Sequence, residues 1–580
     1  TPANRSDILP TTALKPTVTS STPATSPVPF PTITPLSINI SSIIDKNTPQ
    51  TVHFSSRVSG GTPPYSLSWD FDDRDGIQID KLQADPGWVY GSAGEYTASV
   101  QVRDSAGQKA AGSVKINIPQ HGYKPTAEVR LNNVHGTASK PIIIENLDLS
   151  PAKNNGISLI NCSYIIIRNN HIHDIQKDEI NNGTHGLGIY VQDSSHIEIA
   201  GNLVENNTRG IWANATPGSP PIEEIHIHDN LVKGSRLDYG IHVTTGVNIE
   251  LDNNLVLDNG DKTYFDRHRI SGIIAWNSTH VSIHDNYSAG SSSDGIGIAT
   301  SIEYRKANPE FSSSDISVYR NTSKDNSEQG IWLNIVKNGN IHDNYITGNH
   351  NEAEALGSSG IMMEGEVDHM DIYQNILVDN EVSEININSS SDNTIHDNYI
   401  RSTTAGWAGI WINQFKQDYF REEIPAHNII RSNIFEHCSL GIALSAGAGT
   451  TIANNIFYAN GGGHNNAGGI LILPGVTGTL ITRNILAGQH GTAVMDQSGT
   501  SIISFNDFFQ NTSDMAGVKP ADGNIYLDPL FVDIKSGNFS LQNSSPLIYQ
   551  GSTLPSICTE KSREIGPFCS KNAFTFAPIP

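Results

Sequence analysis

The stretch HVSIHDNYSAG, residues 280–290, contains the step Ile-His-Asp-Asn, which the chain repeats at 227–230, 341–344 and 395–398. The copies stand at irregular distances, so either the His and Asp are ligands or the step is one unit of a variable-length repeat. Alignment on Gly-Ile decides between them. NGISLI at 155, LGIYVQ at 187, RGIWAN at 209, YGIHVT at 239, SGIIAW at 271 and DGIGIA at 294 are followed by QGIWLN at 329, SGIMME at 359, AGIWIN at 408, LGIALS at 440 and GGILIL at 468, with EININS at 384 filling the gap. Each is followed by a second short strand ending in Asn: Asn170, Asn202, Asn230, Asn254, Asn286, Asn321, Asn344, Asn375, Asn398, Asn433, Asn455, Asn484 and Asn506, spaced 22 to 35 residues apart. A third strand follows at once, as in NYITGN and NILVDN.

Three short strands per coil, with such spacing, predict a right-handed parallel β-helix of about 13 coils. Each strand is too short to stand alone, but coils stacked about 4.8 Å apart bury one continuous aliphatic column. Asn suits the left-handed corner and can hydrogen-bond to its copies along the axis. The four His are then outward neighbours of Asp252, Tyr319, Tyr373 and Arg431 in one column. Successive His are about 10 Å apart, too far to share an ion, so they read as a surface ladder and no metal site is expected.

Composition places the array. The 580 residues exceed one ordinary core and carry a net charge of −23, which argues against nucleic acid and anionic membrane as partners. No apolar run is long enough to span a bilayer. Four cysteines are too few for a disulfide scaffold: Cys558 and Cys569 could pair, and Cys162 and Cys438 read as buried thiols. Sequons at Asn182, Asn206, Asn214, Asn277, Asn286, Asn321, Asn388 and Asn511 favour an exported glycoprotein, and the opening TPANRSDILP reads as a processed N-terminus after signal-peptide removal.

Four segments follow. Residues 1–36 are Thr/Pro-rich, a stalk or assembly tail. Residues 37–119 alternate apolar and polar in short strands and predict a β-sandwich of immunoglobulin size. Residues 120–552 form the β-helix and 553–580 a tail.

Two resemblances add to this. SWDFDDRDG (68–76) with WVYGSAGEYTASVQVRDSAG (88–107) resembles the PKD domain, with Asp72 where the family's usual Gly follows Phe71. This implies an extracellular spacer or adhesion module. GTASKPIIIENLDLS (136–150) and DPLFVDIKSGNFSLQNSSPLIYQGS (528–552) resemble the entry and exit of the pectate-lyase-like β-helix superfamily, in its NosD-like branch. That superfamily hosts lyases, hydrolases, epimerases, adhesins and inert rods. The pairing of a PKD domain with a β-helix is also similar to archaeal cell-surface proteins.

Chemistry is sought along the Gly-Ile strand. Its outward positions include Tyr190, Trp212, His242, Trp332 and Trp411, with Trp276 two positions along its own strand. Rings beside long polar loops can stack on sugars, so this face is the candidate glycan site. Asp266, His268 and Arg269, in YFDRHR, are similar to the D-P-H element of uronate epimerases, with Arg267 in place of Pro. Asp294 is similar to the acidic strand of polygalacturonases without its paired Asp, and Glu364, two coils on, is its candidate partner. A lyase would want Ca²⁺ held by carboxylates, with Arg305 or Lys306 as proton abstractor; no other cofactor is expected.

No set is complete, so the first expectation is an extracellular structural protein that polymerises with copies of itself into a layer, sheath or filament. The alternative is a polysaccharide-active enzyme (lyase, hydrolase or epimerase) or a glycan-binding adhesin using the Trp-lined face.

Overall fold

The computed structural model describes residues 34–548, apart from 73–77, 151–153, 176–185, 238, 261–270, 352–356, 404–405, 415–423, 463–465 and 518–521. Asp266, His268 and Arg269, together with Asn182, Cys558 and Cys569, lie outside the described residues.

The N-terminal unit is a β-sandwich. Ser37–Ile44, Thr51–Ser59 and Gly87–Val89 make one sheet; Tyr65–Asp70, Gly94–Asp104 and Lys109–Ile118 make the other. Period-two alternation sends Val52, Phe54, Trp69, Phe71, Val100 and Val102 inward, where all are buried. Trp69 and Phe71 stack at 5.7 Å, and Trp69 Nε1 donates to the Gln83 carbonyl at 2.9 Å.

The rest is a right-handed parallel β-helix. The first and second strands of the coils join into one bent sheet of 27 strands, and the third strands form a parallel sheet of 15. The 15 exceed the 13 Asn-marked coils because the entry strands Lys124–Thr126 and Leu147–Leu149 precede the first ladder asparagine. The Gly-Ile alignment is the register: Ile157, Ile189, Ile211, Ile241, Ile273, Ile296, Ile331, Ile361, Ile385, Ile410, Ile442 and Ile470 stack in successive coils. All are buried.

Ile-His-Asp-Asn is one corner of this coil. Ile283 packs inside; Asp285, at φ 56°, makes the left-handed turn; Asn286 begins the ladder. The left-handed residue is therefore the one before the ladder asparagine, not the asparagine itself. Asp229, Asn253, Asp343 and Asp397 repeat this at φ 57°, 47°, 54° and 53°. In each copy the His Nδ1 lies against the following Asp carboxylate, at 2.8 Å for His228 and His284, 2.7 Å for His342 and 2.6 Å for His396. The rings of His284, Tyr319, His342, Tyr373 and His396 stack at 4.6 to 5.2 Å, which turns the outward column into one pile of aromatic plates.

Inside the corner, each asparagine Nδ2 donates to the next asparagine's Oδ1. Asn254 reaches Asn286, Asn286 reaches Asn321 and Asn321 reaches Asn344, each at 3.0 Å. The ladder extends one rung past the sequence reading, to Asn524. A second ladder, Asn326–Asn349–Asn380, closes the third strand. The next coil has Ser402 and Thr403 at this corner and no asparagine. Glu384, which stands where the neighbouring coil has Gly360, takes over by accepting the Asn380 backbone N–H at 3.1 Å. Glu384 is fully buried, and burial pushes its carboxyl up to about 8.

The sandwich is docked on the flank of the β-helix. Val89 joins Leu203, Leu231, Leu255 and Tyr287 in an apolar cluster, and Trp88 meets Tyr287 edge-on at 5.2 Å. Buried Lys81 donates to the Asp285 carbonyl at 2.6 Å and to Asn253 Oδ1 at 3.3 Å. The sandwich is thus a bracket on its own rod rather than a free spacer.

Two sequon asparagines, Asn286 and Asn321, are rungs of the ladder, with both the Nδ2 and the Oδ1 engaged. A glycan there would evict the rung, so the folded chain cannot carry one, contrary to the sequence expectation. Asn511 has its amide in a turn-closing pair, donating to Leu486 O at 2.9 Å, and Asn277 and Asn388 are buried. Asn214 is half-buried and Asn206 exposed. Peptide mass mapping of glycosylated material should therefore find sugar at Asn206 and none at Asn286 or Asn321.

Candidate functional site

The outward column of the Gly-Ile strands is continuous. Tyr190, Trp212, His242, Ile274, Gly297, Trp332, Met362, Asn386 and Trp411 are register partners coil by coil. The column divides in two. Tyr190, Trp212 and His242 pack on one another, with Trp212 and His242 stacked at 5.2 Å. Trp276, Trp332 and Trp411 instead line a cleft of about 490 Å³.

Gly297 is what opens the cleft. A side chain there would strike Ile274 Cδ1 at 2.4 Å and approach Trp332, so its absence lets Trp332 lie down toward Trp276, edge to face at 5.6 Å. At the far end Trp411 Nε1 donates to Ser445 Oγ at 2.8 Å. Asn386 and Asn413, paired at 2.9 Å, set amides between the rings. The cleft crosses the coils from Ile274 to Trp411, on the order of 24 Å, long enough for several sugar units.

Two carboxylates share its other edge. Asp294 and Glu328 are 6% and 8% exposed. The Ser293 hydroxyl contacts Glu328 Oε2 at 2.7 Å and Asp294 Oδ2 at 3.3 Å, so these two oxygens are at most about 6 Å apart, closer than the roughly 6.5–9.5 Å of inverting glycoside hydrolases. Ser271 Oγ donates to Asp294 Oδ2 at 3.0 Å and the Gln329 N–H to Oδ1 at 3.2 Å. Burial, then the charge of Glu328, pushes Asp294 up to about 8, so at neutral pH it keeps its proton. Ser293 has one hydrogen to give, and a protonated Asp294 supplies the second that the trio needs.

Glu364 also lines the cleft but is not the partner of Asp294. It sits across from Asn334, within the strand Ser359–Tyr373 and past the Gly-Ile step, whereas Asp294 precedes the Gly-Ile step of its own coil. Its Oε2 accepts from Trp332 Nε1 at 2.9 Å. The partner is Glu328, which the sequence reading passed over. Its signal was an acidic residue two before the Gly of EQGIWLN, one coil along from Asp294. Arg305, the lyase-type candidate, is taken up by Glu366 at 2.9 Å.

The chain belongs to the right-handed β-helix family: the model of the right-handed beta helix region matches residues 129–286, 224–363 and 350–468. The PKD-domain model matches residues 39–116. Among solved structures, the chain is similar to the A-module of a mannuronan C-5 epimerase from Azotobacter vinelandii, at 12% identity over 70% of this chain and 90% of that one, with a TM-score of 0.34. A periplasmic alginate epimerase is similar at 13% identity, over 55% and 80% of the two chains, with a TM-score of 0.38. The Dettilon tailspike protein is similar at 13% identity, over 64% and 62%, with a TM-score of 0.34. None of these likenesses bears on the chemistry of the cleft.

Proposed function

We propose that the chain binds a polysaccharide along the Trp276–Trp332–Trp411 cleft and hydrolyses its glycosidic bonds with the Asp294–Glu328 pair. The observation that carries this is the pair itself: two buried carboxyl groups joined by one hydroxyl at the edge of an aromatic cleft. Asp294, held protonated, acts as the general acid on the leaving oxygen, and Glu328 is the nucleophile. Trp332 and Trp411 supply flat apolar faces for sugar rings, and Glu364, Asn386 and Asn413 accept from or donate to hydroxyls.

Among the described residues lining the cleft there is no Lys or Arg, and the Glu328 and Glu364 carboxylates face it beside the protonated Asp294. A polyuronate would meet like charge there, so the substrate is a neutral glycan. Such a polymer and the PKD domain support a place of work outside the cytoplasm. The filament reading draws on the PKD-like sandwich, the Thr/Pro-rich residues 1–36 and the lack of a complete catalytic set; residues 1–33 lie outside the described residues.

Reducing-end release from a panel of neutral glucans, mannans and xylans, with polyuronates beside them, tests the proposal. Cleavage of a neutral polymer with retained anomeric configuration is expected, and Glu328→Gln should lower kcat about 10²–10⁴-fold. Activity confined to polyuronates, or a fully active Glu328→Gln, would overturn it.

A further inference from the structure

The entry coils hold a second, separate cluster. Asp148 and His171 are register partners on adjacent strands of the third face, and His173 projects from the same side of its strand two residues on. Asp148 Oδ1 is 2.9 Å from His173 Nε2 and 3.8 Å from His171 Nδ1, and the three donor atoms all lie within 4.8 Å of one another. A tetrahedral ion with bonds of about 2.0–2.1 Å needs ligand-to-ligand edges of about 3.3 Å, which small side-chain rotations provide.

The surroundings supply an independent argument. Each imidazole has its other nitrogen against a further carboxylate: His173 Nδ1 meets Asp174 Oδ2 at 2.8 Å, and His171 Nε2 meets Glu205 Oε2 at 3.3 Å. A carboxylate on the far nitrogen fixes the tautomer so that the near nitrogen presents a lone pair, the arrangement that metal-ligating histidines use. All three ligands are partly exposed, which leaves one position open to water. We infer that Asp148, His171 and His173 form a site for a divalent transition-metal ion such as Zn²⁺, oriented by Asp174 and Glu205.

A proton is the competing occupant. Without metal, His173 Nε2 and Asp148 Oδ1 lie at hydrogen-bond distance, 2.9 Å, and a metal would take the place of the proton they share. A cluster on the second face, His226 with Glu250 and Asp252, offers one imidazole only and serves as the internal comparison.

The test uses the full chain, stripped with chelator and titrated with Zn²⁺ by calorimetry and with Co²⁺ by visible absorption. One tight equivalent per chain and the intense bands of tetrahedral cobalt are expected. Both should be lost in His171→Ala, His173→Ala and the isosteric Asp148→Asn, and unchanged in His226→Ala. Glu205→Gln should weaken binding about 10–100-fold. Circular dichroism establishes that each variant retains the parent's strand content, and Zn²⁺ should raise the parent's melting temperature but not that of Asp148→Asn. The inference fails if the parent binds no Zn²⁺, if binding survives His173→Ala and Asp148→Asn, or if it is lost in His226→Ala instead.

Discussion

Asp294→Asn will remove glycan hydrolysis and at the same time make the protein more stable at neutral pH. The two effects have one cause. In the folded chain burial and Glu328 lift Asp294 to about 8, against 3.8 in the unfolded chain. Between these values the native state holds a proton that the unfolded state has released. Stability therefore falls as pH rises from about 4 toward 8. Asn never ionises and carries no such penalty, so the gain should reach a few kcal/mol at pH 7, at about 1.4 kcal/mol per pKa unit, and vanish near pH 4. Asn also has no acidic proton for the leaving oxygen, so kcat should fall by about 10²–10⁴-fold, while the alkaline limb of the parent's rate profile, where Asp294 loses its proton, should lie near about pH 8. Thermal melts of both proteins at pH 4 and 7, beside their pH–rate profiles, check this. A variant less stable than the parent at pH 7, or one as active, would sink the assignment.

Asn321→Leu should be among the most damaging single substitutions in the rod. The Asn321 Nδ2 donates to Ile283 O at 2.9 Å, Tyr319 O at 3.1 Å and Asn344 Oδ1 at 3.0 Å, and its Oδ1 accepts the Asn286 N–H and Nδ2, both at 3.0 Å. The site is 1% exposed, so water cannot replace the lost partners. At about 1–3 kcal/mol per orphaned buried group, the loss should total several kcal/mol. Coils couple mainly to their neighbours, so hydrogen exchange should accelerate most in residues 283–347 and least in the sandwich. A denaturant midpoint unchanged from the parent would show that the ladder contributes nothing.

What could be read in the sequence was whatever repeats. Ile at the first strand of coil after coil and Asn at the end of the second marked coil, face and register, because one physical requirement is met again at each level. What could not be read occurs once. Glu328 stands opposite Ser293 because the segment between them, with its helix Ile302–Ala307, returns the chain to the same register at Ile331. Nothing in the spelling of that segment shows the pairing. Glu384 looks like a surface acid in EININS, and only the missing amide at Ser402 explains why it is buried. Lys81 likewise gave no sign that its ammonium would be spent on the Asp285 carbonyl of another domain.

The Asn ladder also makes the rod countable. Among the ladder asparagines each rung bonds only to the rungs on either side, so removing residues 456–484 would bring Asn506 beneath Asn455 with ladder donors again facing ladder acceptors. As far as the ladder is concerned, whole coils can thus be gained or lost in one recombination event, the limits being the cleft and the faces covered by the sandwich and by Phe531 and Phe539. Insertion of one residue within a second strand would turn its Asn outward and break the series. Length in this molecule is inherited as an integer, and the cleft and the docked sandwich are stretches where that integer is fixed.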